Sequence, residues 1–271
     1  MDEKEYLKIG DTLEFTTQQT VSHIQEAWDW SVKNGTGELR AVNAILRLIT
    51  NYNFDTVLDI GCGPQKHARV FRNCGKTVTT IDMVEKHKPT ILGNIIDQQN
   101  EIPDNHFDCI WASHVLEHQP NSAEFLGIIK RKLKHNGILA ITVPPLKHQI
   151  VGGHVSLWNM GLLFYNLVAV GFDCNKAIGT TYSYDISVIV RKKDIDWNEN
   201  RIKELDLKVS TVDEKTGVLT ADGGDFYKLK NYFPNPMMNM EMGWHSHGSD
   251  EAFDGNISNI GWKDIGDGQI L

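Results

Sequence analysis

The segment Thr56-Val-Leu-Asp-Ile-Gly-Cys-Gly-Pro-Gln-Lys-His-Ala-Arg-Val-Phe71 decides the fold of this chain. It begins as a short apolar strand, continues through a glycine turn and ends in residues with helical spacing. Gly61 and Gly63 can adopt backbone conformations that other residues avoid, and they let a ligand approach the main chain closely. The first turn of the following helix offers free N–H groups. This order of elements predicts a ligand site at the carboxyl end of the strand.

Strand-like and helical stretches alternate beyond this segment. Strands are predicted at residues 57–60, 77–81, 90–92, 107–112, 138–143, 172–178 and 186–191. Helical stretches are predicted at residues 66–74, 121–134 and 156–170. Short apolar strands that alternate with helices predict an α/β fold. The expected architecture is a Rossmann-like, seven-stranded, mostly parallel sheet with an antiparallel last strand and helices on both faces.

Three regions are predicted along the chain. Residues 1–53 hold two helical stretches, at 18–33 and 38–51, and form an N-terminal helical cap. Residues 54–193 form the alternating core. Residues 194–271 are a C-terminal extension rich in Gly, Asn, Asp and Met. Two roles are open for this extension, a lid over the site or a contact in a homodimer.

Composition narrows the classes of protein. The 271 residues are 41% hydrophobic and 23% charged, as in globular domains with a sizeable core. The formal net charge is −8 without a long Lys/Arg block, so nucleic acid is not expected and a small-molecule ligand fits better. The four cysteines form no CxxC pair and are predicted to be reduced and buried, as in a cytoplasmic protein. No membrane span or signal peptide is predicted from the sequence.

Three interpretations of the glycine segment compete. A dinucleotide-dependent dehydrogenase prefers Gly-x-Gly-x-x-Gly, but Lys66 occupies the third glycine position. A second interpretation is a purely structural glycine turn. The third is a site for S-adenosylmethionine (SAM), which Asp59 favours because a carboxylate there can lie near the amino-acid end of SAM. Asp82 ends the next strand about 20 residues later, where a carboxylate can bind both ribose hydroxyls.

Four motifs in the same order resemble those of class I SAM-dependent methyltransferases. They are residues 57–63, 80–82, 102–118 and 133–144, and the resemblance covers roughly residues 54–193. In pattern they are similar to small-molecule enzymes of methyltransferase type 11 and of the ubiquinone-biosynthesis kind. The resemblance implies SAM as cofactor and S-adenosylhomocysteine (SAH) as product.

The resemblance also implies which residues contact the cofactor. Asn94 departs from the family pattern, in which an Asp often meets the adenine amino group. Met83 and Ile95 would flank the adenine, and Ala112 and Ser113 would line the methionine end. The full expected set is Asp59, Gly61, Cys62, Gly63, Asp82, Met83, Asn94, Ile95, Ala112 and Ser113.

Candidate catalytic residues follow the fourth and fifth strands, over the expected cofactor site. Methyl transfer requires an acceptor in line with the methyl group and, for a hydroxyl, a base. On a helical turn His114 and His118 would share one face beside Glu117, and His148 and His154 come after the fifth strand. Three roles stay open: a general base at His118 or His154, a structural or positioning role, or a divalent metal ion at Glu117, His118 and His154.

The expected function is methyl transfer from SAM to an oxygen of a small-molecule acceptor. A sugar or a precursor of a cell-surface glycan is the first guess, by family analogy. A metal-dependent hydrolase is an alternative, because His114-x-x-Glu117-His118 matches the inverted zinc-peptidase pattern. A non-catalytic SAM-binding protein is the other alternative.

Overall fold

The computed structural model describes residues 3–147 and 151–193. Seven strands form one sheet in the order β3-β2-β1-β4-β5-β7-β6. The strands are β1 Thr56–Ile60, β2 Thr77–Asp82, β3 Ile91–Leu92, β4 Phe107–Ser113, β5 Leu133–Val143, β6 Ile178–Tyr182 and β7 Asp185–Arg191. The helices are α1 Glu3–Lys33, α2 Val42–Asn51, α3 Lys66–Asn73, α4 Ile95–Gln98, α5 Ser122–Lys132 and α6 Met160–Ala169.

The strand directions confirm the predicted mostly parallel sheet. β1 pairs in parallel with β2 and β4, β2 pairs in parallel with β3, and β4 pairs in parallel with β5. β7 runs antiparallel to both of its neighbours, β5 and β6. The Rossmann-like fold with an antiparallel last strand is therefore confirmed.

The prediction of a strand at residues 172–178 is wrong. Phe172, Cys174 and Ala177 are buried in the segment that leads from α6 back to the sheet, so these apolar residues pack in the core without forming a strand. The sixth strand begins only at Ile178. A hairpin turn then follows, in which Ser183 adopts a φ of 46°. Periodicity could not separate a buried connection from a buried strand.

Both faces of the sheet are covered, and alternate strand residues enter two different cores. Leu58 and Ile110 point to one face, where they belong to a cluster that includes residues of α5 and α6. Val57 and Trp111 belong to the cluster on the other face, which includes residues of α1, α2 and α3. Buried side chains on both faces are typical of parallel sheets covered by helices.

The N-terminal helices form part of one of these layers. Ile24 of α1 and Ile45 of α2 are buried in the same cluster as Val57 and Trp111 of the sheet. α1 is longer than predicted and α2 begins later, at Val42. Among the helices described, none is long and apolar enough to cross a membrane. The division of the chain at residue 53 stays a prediction.

Two other predictions concern cysteines and the C-terminal region. All four cysteines are free; Cys62, Cys109 and Cys174 are buried as predicted, whereas Cys74 is only half-buried. Residues 194–271, with the expected lid or homodimer contact, lie outside the described residues, as does His148.

Candidate active site

A cleft opens at the carboxyl edge of the sheet, where β1 and β4 are neighbours but the chain leaves them in opposite directions. Ligands of open α/β sheets bind at such a switch point. The residues that line the cleft come from the ends of β1 to β4 and the segments that follow them: Ile60, Gly61, Ile81, Asp82, Met83, Val84, Gly93, Asn94, Ile95, His114, Val115, His118, Gln119 and Phe125.

The glycine turn after β1 is held against β2 and against the segment after β4. The backbone N–H groups of Gly61 and Cys62 donate to the Ile81 carbonyl oxygen at 2.8 Å and 3.2 Å. Gly61 has a φ of 67°, and a Cβ atom there would overlap the side chain of Val115. Glycine is required at this position both for its left-handed backbone and for the close approach of Val115.

Asp82 closes the glycine turn at the end of β2. Its Oδ2 atom accepts a hydrogen bond from the Gly63 N–H at 2.8 Å, and its Oδ1 atom accepts one from the Val84 N–H at 2.8 Å. His87 Nδ1 lies 3.3 Å from the same Oδ1 atom. An ionised carboxylate has about four lone-pair sites, so both oxygens can still accept a ligand hydroxyl. The ribose contact of Asp82 stays a prediction.

Asp59 is buried at the end of β1, outside the lining of the cleft. Its side chain is 1% exposed, and within the described part of the chain its Oδ2 atom has no hydrogen-bond partner. Burial raises the pKa of Asp59 to about 8, although the charge of Arg72 opposes this shift. An unpaired buried carboxylate oxygen is suited to a positively charged group close by.

The predicted adenine contacts all line the cleft. Met83 is 69% exposed there, and Ile95 is buried at the start of α4. Asn94 caps that helix, because its Oδ1 atom accepts a hydrogen bond from the Ile96 N–H at 3.0 Å. Its side-chain amide N–H groups are not used in this cap and can donate to a ligand.

Four other predicted cofactor residues lie outside the lining of the cleft. Cys62 is buried below the turn, and Gly63 contacts Asp82 through its backbone. Ala112 is 1% exposed within the sheet. Ser113 ends β4, and its hydroxyl oxygen is buried without a hydrogen-bond partner among the residues described.

His114 does not share a helix face with His118, so that sequence prediction is wrong. The backbone at His114 is left-handed, with a φ of 56°, and only a 3-10 turn at Leu116–His118 follows. His114 Nε2 lies 2.7 Å from Asp185 Oδ1, and His114 Nδ1 lies 3.3 Å from Glu117 Oε1. Burial alone would lower the pKa of His114, but Asp185 and Glu117 outweigh it and raise the pKa to about 9.

The hydrolase interpretation loses its support from this geometry. The inverted zinc-peptidase pattern needs His114 as a metal ligand. Both ring nitrogens of His114 face carboxylates, and the imidazole is protonated at neutral pH. A protonated imidazole has no lone pair to offer to a metal ion.

The loop after β5 folds back onto Glu117 and brings His154 to His118. The backbone carbonyl of Glu117 accepts hydrogen bonds from the N–H groups of Val155 at 2.8 Å and Ser156 at 3.3 Å. The His118 and His154 rings meet edge to face with centroids 4.9 Å apart. His118, His154 and Glu117 therefore lie together at one end of the cleft, as the sequence predicts.

Glu117 is fully buried at the centre of this group. Neither of its carboxylate oxygens has a hydrogen-bond partner among residues 3–147 and 151–193. The 3.3 Å separation from His114 Nδ1 is an ion-pair distance without the direction of a hydrogen bond. His118 Nε2 lies 3.8 Å from Glu117 Oε1. A buried carboxylate with so little compensation is costly unless a further group binds it.

Sequence reasoning missed three polar residues of this region. Asp185 contacts His114 across 71 positions of the chain, and only the β6–β7 hairpin brings the two together. His87 contacts Asp82, and Gln119 lines the cleft. No local pattern marks any of these residues, because only the tertiary fold brings each of them to the site.

The doubly wound sheet, its glycine turn and the acidic residue after β2 define a nucleotide-cofactor-binding α/β protein. Residues 16–169 match the sequence profile of a family described as a methyltransferase domain. The chain therefore belongs to the class I SAM-dependent methyltransferase family, as the resemblance of the four motifs implies.

Individual relatives are distant. The malonyl-[acyl-carrier protein] O-methyltransferase of Salmonella typhimurium is 26% identical over 110 residues, which are 38% of this chain and 44% of that protein. The chain thus spans less than half the length of this curated relative.

Two solved structures are among those that this chain is similar to. One is a chain of the complex between the Haloferax volcanii Trm112 methyltransferase activator and a methyltransferase, with a TM-score of 0.51 and 11% identity over 68% of this chain and 100% of that one. The other is a SAM-dependent methyltransferase from Archaeoglobus fulgidus, with a TM-score of 0.47 and 18% identity over 52% of this chain and 87% of that one.

Proposed function

We propose that this protein transfers a methyl group from SAM to an oxygen of a small-molecule acceptor. This proposal rests on one observation. A single cleft contains both the residues expected to bind the cofactor and histidines suited to act on the acceptor. Its one end is formed by the glycine turn and Asp82, and its other end by His114 and His118. Family membership supplies the cofactor class.

The residues present fit SAM. Gly61 lines the cleft with its main chain, Asp82 can bind the ribose, and the unpaired oxygen of Asp59 suits the ammonium group of the amino-acid end. Met83 and Ile95 offer apolar surface for the adenine. When bound, SAM supplies an electrophilic methyl group on a sulfonium and leaves as SAH.

The acceptor hydroxyl must lose its proton as the new carbon–oxygen bond forms and the carbon–sulfur bond breaks. Glu117, His118 and His154 lie together beside the cleft and can promote this loss, since carboxylates and imidazoles can accept a proton. His118 is oriented for it, because its Nδ1 lies 2.7 Å from the Gly153 carbonyl oxygen and must carry the proton there. In the neutral imidazole the lone pair is then on the other ring nitrogen, Nε2.

The acceptor would enter beside His154. A small recess there is lined by Pro144, Lys147, Leu157 and Tyr184, which combine polar groups with an aromatic face. Sugars and precursors of cell-surface glycans come first among the acceptors we propose, by family analogy alone. A cytoplasmic location is proposed from the free cysteines.

Calorimetric titration with SAH and SAM tests the cofactor half of the proposal. We expect both to bind the wild-type protein and NAD not to bind. Asp82→Ala should weaken SAH binding at least about tenfold, which corresponds to 1.4 kcal/mol. Asp55→Ala is the matched control, because Asp55 is exposed at the opposite end of β1 and should leave the affinity unchanged.

Incubation with radiolabelled SAM and a panel of nucleotide sugars and free sugars tests the transfer half. We expect SAH release that depends on one class of hydroxyl acceptor and falls at least about tenfold in His118→Asn. If SAH does not bind the wild-type protein, the proposed function is wrong. SAH binding without release in the presence of any acceptor would favour the non-catalytic SAM-binding alternative.

A further inference from the structure

We propose that Glu117, His118 and His154 form a binding site for a divalent transition-metal ion at the acceptor end of the cleft. The binding of the ion follows from these three residues alone. The role of the ion in activating the acceptor rests on the proposed methyl transfer.

The three side chains are already gathered. Each offers one ligand atom, and these atoms lie within 4.8 Å of one another. Ligand atoms around one ion lie about 3–4 Å apart when each metal–ligand bond is about 2.1 Å long. Side-chain rotations that move the atoms by about 1 Å would therefore close the site. His118 Nε2 and Glu117 Oε1, at 3.8 Å, already have the separation that a shared ion requires.

Glu117 is the observation that points to a ligand. It is 0% exposed, and in the described ranges neither carboxylate oxygen accepts a hydrogen bond. His114 Nδ1 lies 3.3 Å from Glu117 Oε1, but the other ring nitrogen of His114 lies 2.7 Å from Asp185. A buried carboxylate that shares this partner and accepts no hydrogen bond is suited to a cation.

The two histidines are positioned to offer ring nitrogens to one ion. His118 donates from Nδ1 to the Gly153 carbonyl oxygen at 2.7 Å, and metal-ligating histidines characteristically use their other ring nitrogen in this way. His118 Nε2 lies on the side of Glu117. The His154 ring meets the His118 ring edge to face, with centroids 4.9 Å apart.

The donor set selects the kind of ion. Two imidazole nitrogens and one carboxylate oxygen suit Zn²⁺, Mn²⁺, Fe²⁺ or Co²⁺ better than Mg²⁺ or Ca²⁺, which prefer oxygen ligands. Three protein ligands leave at least one coordination position open. An acceptor hydroxyl that entered this position would be more acidic and easier to methylate. Its proton would leave to solvent, since His118 and His154 would be ligands.

Titration of the chelator-treated protein with Zn²⁺ and Mn²⁺ tests the site, with Mg²⁺ for comparison. We expect one equivalent of Zn²⁺ to bind and Mg²⁺ to bind far more weakly. His154→Ala and Glu117→Gln should each weaken Zn²⁺ binding at least about tenfold. His154 is only partly buried, so His154→Ala should fold even if substitution of Glu117 disturbs the loop. His135→Ala is the control, because His135 is exposed near the amino end of β5.

Two outcomes would overturn the site: no Zn²⁺ binding by the wild-type protein, or binding that His154→Ala leaves unchanged. An SAH titration of the same metal-free protein separates this failure from failure of the proposed function. If the protein binds SAH but not Zn²⁺, the proposed metal site is wrong and the proposed methyl transfer stands. If it binds Zn²⁺ but not SAH, the proposed methyl transfer is wrong and the metal site stands. Methyl transfer at the full rate in excess chelator would overturn the role of the ion in catalysis.

Discussion

Two carboxylates near the glycine turn have opposite environments. Both oxygens of Asp82 accept hydrogen bonds from backbone N–H groups. Asp59 is buried, and in the described structure its Oδ2 atom accepts no hydrogen bond, so burial raises its pKa to about 8. The charge of Asp59 therefore costs folding free energy in the protein without cofactor. The sequence marks both residues as acidic and at strand ends, but not this difference.

The raised pKa of Asp59 predicts how stability depends on pH. The folded state binds the Asp59 proton more tightly than the unfolded state, whose pKa is near 3.8. The penalty is absent below that pKa and grows as the pH rises toward about 8. Asp59→Asn removes the titration, so the variant should gain stability over wild type by about 2–4 kcal/mol between about pH 5 and 8.

Chemical denaturation of both proteins across this pH range, without cofactor, measures the effect. Asp55→Asn is the control, since Asp55 is exposed and its variant should follow the wild-type curve in parallel. A stability difference between Asp59→Asn and wild type that stays constant with pH would contradict the prediction.

The turn between β1 and α3 is the element on which the site depends. Gly61 and Gly63 both have left-handed backbones, with φ of 67° and 50°. A Cβ atom at Gly61 would overlap Val115, whereas one at Gly63 would meet no heavy atom within 4 Å in the described structure. Alanine at Gly63 would therefore introduce backbone strain alone, whereas alanine at Gly61 would introduce both strain and steric overlap.

Gly61→Ala should destabilise the protein more than Gly63→Ala. Strain alone costs about 1–2 kcal/mol at each position. Overlap with Val115 adds about 1–3 kcal/mol at Gly61. Thermal unfolding without cofactor measures the difference, and Gly63→Ala serves as the matched control. Equal melting temperatures for the two variants would mean that Val115 moves aside without cost.

Among the secondary-structure elements, those next to the site were predicted from the sequence better than those far from it. The strand ends around Gly61 and Asp82 follow from local patterns, because glycine turns and apolar strands are local properties. The first strand of the β6–β7 hairpin was predicted too early, at residues 172–178, because Phe172, Cys174 and Ala177 are buried in the connection before β6. That hairpin carries Asp185, so the partner of His114 could not be predicted either.

At the scale of the whole molecule, the sheet needs helices on both faces. α1 and α2 bury Ile24, Ile45 and Leu48 in one cluster with Val57 and Trp111 of the sheet. Without residues 1–53 a large part of this face of the sheet would be exposed to water, and burial of each such side chain contributes about 1.5–3 kcal/mol. The loss is comparable with the net stability of a typical domain.

A chain of residues 54–271 should therefore fail to fold. We expect it to be insoluble or to lack a cooperative thermal transition. A chain of residues 18–271 keeps Ile24 and Ile45 and should unfold cooperatively. Circular dichroism on heating compares the two. Cooperative unfolding and SAH binding by residues 54–271 would show instead that the helical cap is separable.

The sequence by itself determined the fold class and the glycine turn, and the resemblance of its motifs to a known family implied the class of cofactor. The fold class and the turn depend on the period of apolar residues and on backbone conformations that favour glycine, which are properties of short segments. Only the tertiary structure decided that Asp185 engages His114 and that the loop after β5 brings His154 to Glu117. Contacts between residues tens of positions apart depend on how the sheet and its loops pack, and no local pattern encodes them.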